Sequence, residues 1–199
     1  MSTTYSRLVS VPEAPPEPFQ RALESLRAAR LRPEIDLDEA PAPQRLAPFS
    51  VAMTADVMLR GEEMGSGRFV VLHNPEGHDT WDGTFRVVTF ARAALDVEMA
   101  SDPMVTEVGW SWLMESLSNH GASHHSPSGT VTRVSSESFG AMSDRPGAAE
   151  LEVRASWTPD SDDLAPHLMA WADLLCTAAG LPPVPAGVVP LSAARRPLS

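Results

Sequence analysis

The chain has 199 residues, 26 acidic side chains against 15 basic ones, a net charge of −11 and a single cysteine, Cys176. That length allows one domain with a sizeable core, and one thiol cannot close an internal disulfide, so a reducing, cytoplasmic setting is expected. An acidic surface repels phosphate backbones and anionic lipids, no apolar run reaches the ~20 residues that span a bilayer, and Met1 to Arg7 is not a basic-then-apolar leader, so nucleic acid, membrane and secretion are set aside.

All the basic residues are arginine, and isoleucine and tyrosine occur once each, as Ile35 and Tyr5. The scarce residue types have AT-rich codons, so the bias points to a GC-rich bacterial genome. Without lysine, Schiff-base chemistry and a P-loop are excluded.

Residues 1–15 end in a proline-rich run and are expected to form an extended or disordered lead. A single domain is assigned to 16–181. Phe19, Ala22, Leu23, Leu26 and Leu31 recur at helical spacing until Pro33, which predicts a first helix. Residues 33–48 mix four prolines with Glu34, Asp36, Asp38 and Glu39 and read as an acidic, irregular connection. Alternation from Phe49 to Val57 predicts the first strand, and Gly61 to Gly67 a turn. Phe69 to Leu72 reads as a central strand, residues 73–82 as a loop, and Thr84 to Arg92 as a third strand.

Asp102-Pro103 and Gly121 bracket a middle helix. Its wheel gathers Glu107, Ser111, Glu115 and Ser118 on one polar face, with Gly109 and Ser116 at the centre of the apolar arc and Trp110 and Trp112 flanking it. Small residues there let a helix approach a sheet closely. Gly129 to Phe139 and Ala149 to Trp157 alternate as a fourth and fifth strand joined by a turn at 140–147. A last helix is predicted from about Asp160 to Gly180, and 182–199 is left as an unstructured tail.

The predicted order is α-β-β-β-α-β-β-α. It implies an α+β fold: a five-stranded antiparallel sheet with helices mainly on one face. Type III secretion chaperones share that order by analogy of topology alone.

Four strings carry a more specific likeness: PAPQRLAP at 41–48, GRFVVLHNPEGH at 67–78, VGWSWL at 108–113 and RASWTP at 154–159. Together they resemble an actinobacterial family, domain of unknown function three thousand, over most of residues 18–183. The resemblance implies an actinobacterial origin. It implies no activity and brings no catalytic or binding residue.

The predicted strand directions put all six histidines at one end of the sheet: His73, His78, His120, His124, His125 and His167. With Asp79 and the aspartates at 160–163, they form the candidate chemistry of the chain, and His73, His78 and His120 are the alternative metal-ligand set. Against this, His73-x4-His78 and His120-x3-His124 match no ligand signature, and Gly121 breaks the second pair. Gly109-Trp110-Ser111-Trp112-Leu113 lacks the last glycine of a nucleophile elbow and reads as helix interior. Gly65-Ser66-Gly67 precedes a strand, not a helix, and reads as a hairpin turn. Cys176, on the last helix, reads as inert packing.

The candidate binding residues are therefore His73, His78, Asp79, Trp81, Arg86, Trp110 and His120, with no catalytic residue, no committed metal and no cofactor. The expected function is a non-enzymatic, chaperone-like module that binds a protein partner or a second copy of itself through a sheet face or helix groove. The alternative is a small-molecule or metal-dependent hydrolase at the histidine-rich end, its pocket lined by Trp81, Arg86 and the 73–82 loop.

Overall fold

A computed structural model describes residues 14–43, 45–145 and 147–183, apart from the side chains of Val97 and Glu98. The expectations for most of the N-terminal lead and for the tail beyond 183 lie outside the described residues. No helix among these residues is long and apolar enough to cross a membrane.

Helix α1 spans Glu17–Ala28, entered through Pro16 and burying Phe19, Ala22 and Leu26 on one face. It stops short of the predicted Leu31 because the backbone already leaves the helical region at Ala29, where ψ is 135°. The acidic connection is then half strand: β1, Ile35–Ala40, pairs antiparallel with β2, Phe49–Leu59. Arg60 and Gly61, both at positive φ, make a two-residue hairpin turn into β3, Glu62–His78. The predicted turn at 61–67 is thus confined to its first residues, and Gly65 and Gly67 lie inside β3. A Cβ on Gly67 would stand 2.5 Å from the Phe90 carbonyl and 2.8 Å from Trp171, so the glycine lets a helix settle onto the strand. The expected 73–82 loop is largely strand as well, since β3 runs through His78 before turning into β4, Gly83–Leu95.

A short α2, Val97–Ser101, is capped by Asp96, whose carboxylate accepts the Met99 N–H at 2.7 Å. Helix α3, Val105–Asn119, follows. Gly109 and Ser116 are buried as the wheel requires, and a Cβ on Gly109 would press on Leu151 at 3.0 Å. Strands β5, His124–Ser136, and β6, Ala148–Pro159, form the last hairpin. The closing helix α4, Ala165–Ala178, starts five residues later than Asp160; its Leu164 N–H is received at 2.8 Å by the Ser25 hydroxyl of α1.

The element order is therefore α-β-β-β-β-α-α-β-β-α, with six strands and not five. All neighbours in the order β1-β2-β3-β4-β6-β5 are antiparallel. The α+β class and the antiparallel sheet stand; the extra strand and extra helix remove the match to the chaperone order on which the analogy rested.

Helices α1, α3 and α4 pack on one face, the inner one, against Val57, Phe69, Val71, Val87, Val153 and Trp157. Cys176 is buried here, and burial pushes its thiol up to about 12, so it stays protonated and inert. On the outer face Ala52, Val70, Leu72 and Trp81 form a smaller cluster, covered by Ala40, Ala42 and Ala47. Hydrogen bonds from Ser50 to the Pro43 carbonyl (2.9 Å) and from Arg68 to the Pro41 carbonyl (2.5 Å) hold that cover down. The rest of the outer face, over β4, β6 and β5, has no covering element among the described residues.

Candidate functional site

The strand directions bring the six histidines to one end of the sheet, where β3 ends, β5 begins and α4 begins. They do not converge, because each ring has its own partner. His73 is buried between Phe85, 4.1 Å away centroid to centroid, and Phe19, 5.8 Å away. Its Nδ1–H donates to the Thr84 carbonyl at 3.0 Å, its Nε2 has no partner, and burial lowers its pKa. His78 stacks on Trp81 at 4.6 Å and accepts the Thr80 N–H at 3.3 Å. His120 caps the end of α3 and donates to Asp173 of α4 at 2.7 Å. His124 donates to the Ala122 carbonyl at 2.7 Å, and His167 receives the Trp157 indole N–H at 3.0 Å. Among the described residues no three His, Cys, Asp or Glu side chains come close enough to hold a metal ion. The alternative ligand set His73, His78 and His120 is accordingly spread over three separate contacts.

Ser123, Asp160 and His125 lie in line, but in the wrong order for nucleophilic catalysis. The Ser123 hydroxyl donates to Asp160 Oδ2 at 2.5 Å, while His125 Nδ1 meets Asp160 Oδ1 at 2.6 Å. His125 Nε2 is also spent on the Asp82 carbonyl, 3.0 Å away. The protonated ring can donate from both nitrogens to these two oxygens, and the Asp160 hydrogen bond, which favours that form, raises its pKa. A general base must face the hydroxyl with a free lone pair. Here the carboxylate faces the hydroxyl and the histidine faces away, so the trio clamps the β3–β4 turn, the α3–β5 loop and the end of β6 together.

The outer side of the 73–82 segment forms an open groove lined by Pro75, Glu76, His78, Asp79, Asp82 and Thr84. Trp81 and Arg86 do not line it. Trp81 turns into the outer-face cluster, and Trp110 lies on the inner face, where a Cβ on Gly129 would come within 2.8 Å of its ring. Trp110 thus takes the packing role.

Arg86 is the candidate with an unusual environment. It points from β4 to the outer face and is only 8% exposed. Its Nη1 donates to the Ser126 carbonyl at 3.1 Å and Thr158 Oγ1 at 3.0 Å, and its Nη2 to Ser128 Oγ at 3.1 Å and Ser156 Oγ at 2.7 Å. A register shift between His125 and Ser128, with Ser126 at φ 51°, aims that carbonyl inward. Every partner is neutral; no described carboxylate pairs with this guanidinium. Burying an unpaired charge costs several kcal/mol even after relaxation, and the lack of water lowers the Arg86 pKa from its ordinary value without discharging it.

Beside this cage, on the open face, lies a depression of about 400 Å³ lined by Val88, Ser128, Gly129, Thr130, Arg154 and Ser156. Arg154 is held over the Phe90 ring at 4.9 Å and bonded to Glu152 at 3.0 Å. The sequence reading missed Ser126, Ser128, Ser156 and Thr158. The sequence holds one faint signal, the parity by which Ser156 and Thr158 share a face of β6. What joins them to Arg86 is strand pairing across 40 to 72 residues.

No curated protein and no solved structure matches the chain. One family model, described as Protein of unknown function (DUF3000), matches residues 15–189.

Proposed function

The chain belongs to the DUF3000 family, whose description assigns no activity, and from that premise we propose that it is a non-enzymatic binding module taking up an extended segment of a partner polypeptide along the free edge of β5. The observation that carries this reading is the contrast between the two sheet edges. β1 is six residues long and carries Asp36, Asp38 and Glu39, the charged, short edge by which sheets avoid further pairing. β5 is thirteen residues long, pairs only with β6 among the described residues, and from Ser128 to Ser136 carries one charge, Arg133. Arg133 is occupied by the Ala100 and Asp102 carbonyls at 3.0 and 3.2 Å. Beyond its end Phe139 and Met142 are 75% and 50% exposed. Unpaired backbone amides and carbonyls on a neutral edge give affinity by strand addition, and apolar side chains nearby give selectivity.

The test is a photo-crosslinking residue at Thr132 in the full chain, expressed in a bacterial host with a GC-rich genome as the residue bias suggests. The same residue at Glu24, on α1, serves as control. The expected result is one recurring polypeptide adduct at 132 that is absent at 24 and lost in Val134→Pro. Equal labelling at both positions refutes the reading. An adduct of twice the chain mass names a second copy as the strand that is added.

A further inference from the structure

The Arg86 cage and the depression beside it share a wall, and the wall consists of the Ser128 and Ser156 hydroxyls. Both oxygens accept from Arg86, so what they offer in return is their protons. The two oxygens are 3.3 Å apart, so one proton can bridge the pair while the other is free to point into the depression. The Thr158 proton is not available, being given to the Trp81 carbonyl at 2.5 Å. A hydroxyl polarised by a cation behind it is a stronger donor than a hydroxyl alone. From the other side the depression is bounded by the exposed Arg154 guanidinium and by Thr130. A ligand there meets two guanidinium charges, one direct and one relayed; Arg154 also holds Glu152 at 3.0 Å, and no carboxylate lines the depression among the described residues.

We infer that this depression is a binding site for an oxyanion, a phosphate- or carboxylate-bearing group, received by Ser128 and Ser156 in front of Arg86 and by Arg154. The anion supplies the counter-charge that Arg86 lacks within the protein, and its several acceptor oxygens match donors arriving from two directions. The site is independent of the β5-edge reading, because a small anion needs no added strand.

The experiment titrates inorganic phosphate and, in a second arm, acetate into the ¹⁵N-labelled full chain at constant ionic strength made up with chloride. Saturable shifts are expected at the amides of Ser128, Thr130 and Ser156, with none at Ser66. Saturation by phosphate assigns a phosphate-bearing ligand and saturation by acetate a carboxylate. Replacing both Ser128→Ala and Ser156→Ala should weaken binding about tenfold, the loss of roughly one charge-assisted hydrogen bond. Arg154→Gln, at an exposed position, should weaken it about threefold by removing a screened charge, and it keeps the test readable if the double variant unfolds. Shifts that grow linearly with both anions, or saturable binding that neither variant changes, would overturn the inference.

Discussion

The imidazole of His167 receives the Trp157 indole proton in a site from which burial expels charge, and its pKa falls from 6.5 to about 4. Below 6.5 the unfolded chain takes up a proton that the native ring refuses until about pH 4, so stability is lost as pH falls through that window. The loss is at most about 3 kcal/mol. His73 acts in the same direction, through burial. His125 has the opposite sign: its raised pKa gives a contribution that is full below 6.5 and fades as pH rises through the folded value. The expected outcome is a urea midpoint that drops between pH 6.5 and 4.5, above the range in which Glu34 and Asp160, both lowered, lose their own contributions. In His167→Gln, where the amide oxygen can still accept from Trp157, the slope should flatten. An unchanged slope would show that another group governs the window.

Among the elements, the packing of α4 on β3 depends on the absence of a side chain at Gly67, where a Cβ would meet the Phe90 carbonyl, Trp171 and Leu175 within 3.0 Å. Gly67→Ala is expected to destabilise by about 2 kcal/mol, or roughly 6 °C in Tm, as overpacking forces helix and strand apart. A thermal melt checks it; a change within 1 °C, about the scatter expected of a neutral surface substitution, would mean the contact relaxes freely. The same glycine shows where sequence reading stops. Phe49–Leu59 and Ala148–Pro159 are legible because each alternates across a sheet with one buried face. Gly67 looks like a turn because the helix that requires it lies about a hundred residues downstream, and Gly65 because what crowds it is the backbone of β4 at Arg92 and Ala93. β1 was hidden for a different reason: an edge strand pairs on one side only, and Ile35 and Leu37 give too few apolar positions to outweigh three acids and the flanking prolines. At the site, the end of the sheet that holds the histidines is legible from strand direction. The division of the rings among separate partners depends on loop geometry, which leaves no periodic trace.

For the molecule as a whole, a net charge of −11 opposes association between copies while β5 invites it. Repulsion between exposed charges is screened within about 10 Å at 0.1 M salt, whereas backbone pairing along a strand edge is much less affected. Light scattering at neutral pH should therefore show self-association rising with sodium chloride. Val134→Lys, which puts a charge on the outer face of the edge strand, should suppress the rise. Association that falls with salt would place the contact among charged groups elsewhere on the surface.

The bond from Leu164 to the Ser25 hydroxyl joins α4, the last described element, to α1, the first. During synthesis α1 emerges before any strand it packs on, and the part of the inner face that α4 covers, with Phe69 against Trp171, stays open until that helix follows. The growing chain therefore carries an exposed apolar patch on its sheet, in the position of a client that must be shielded, until the last described helix closes over it.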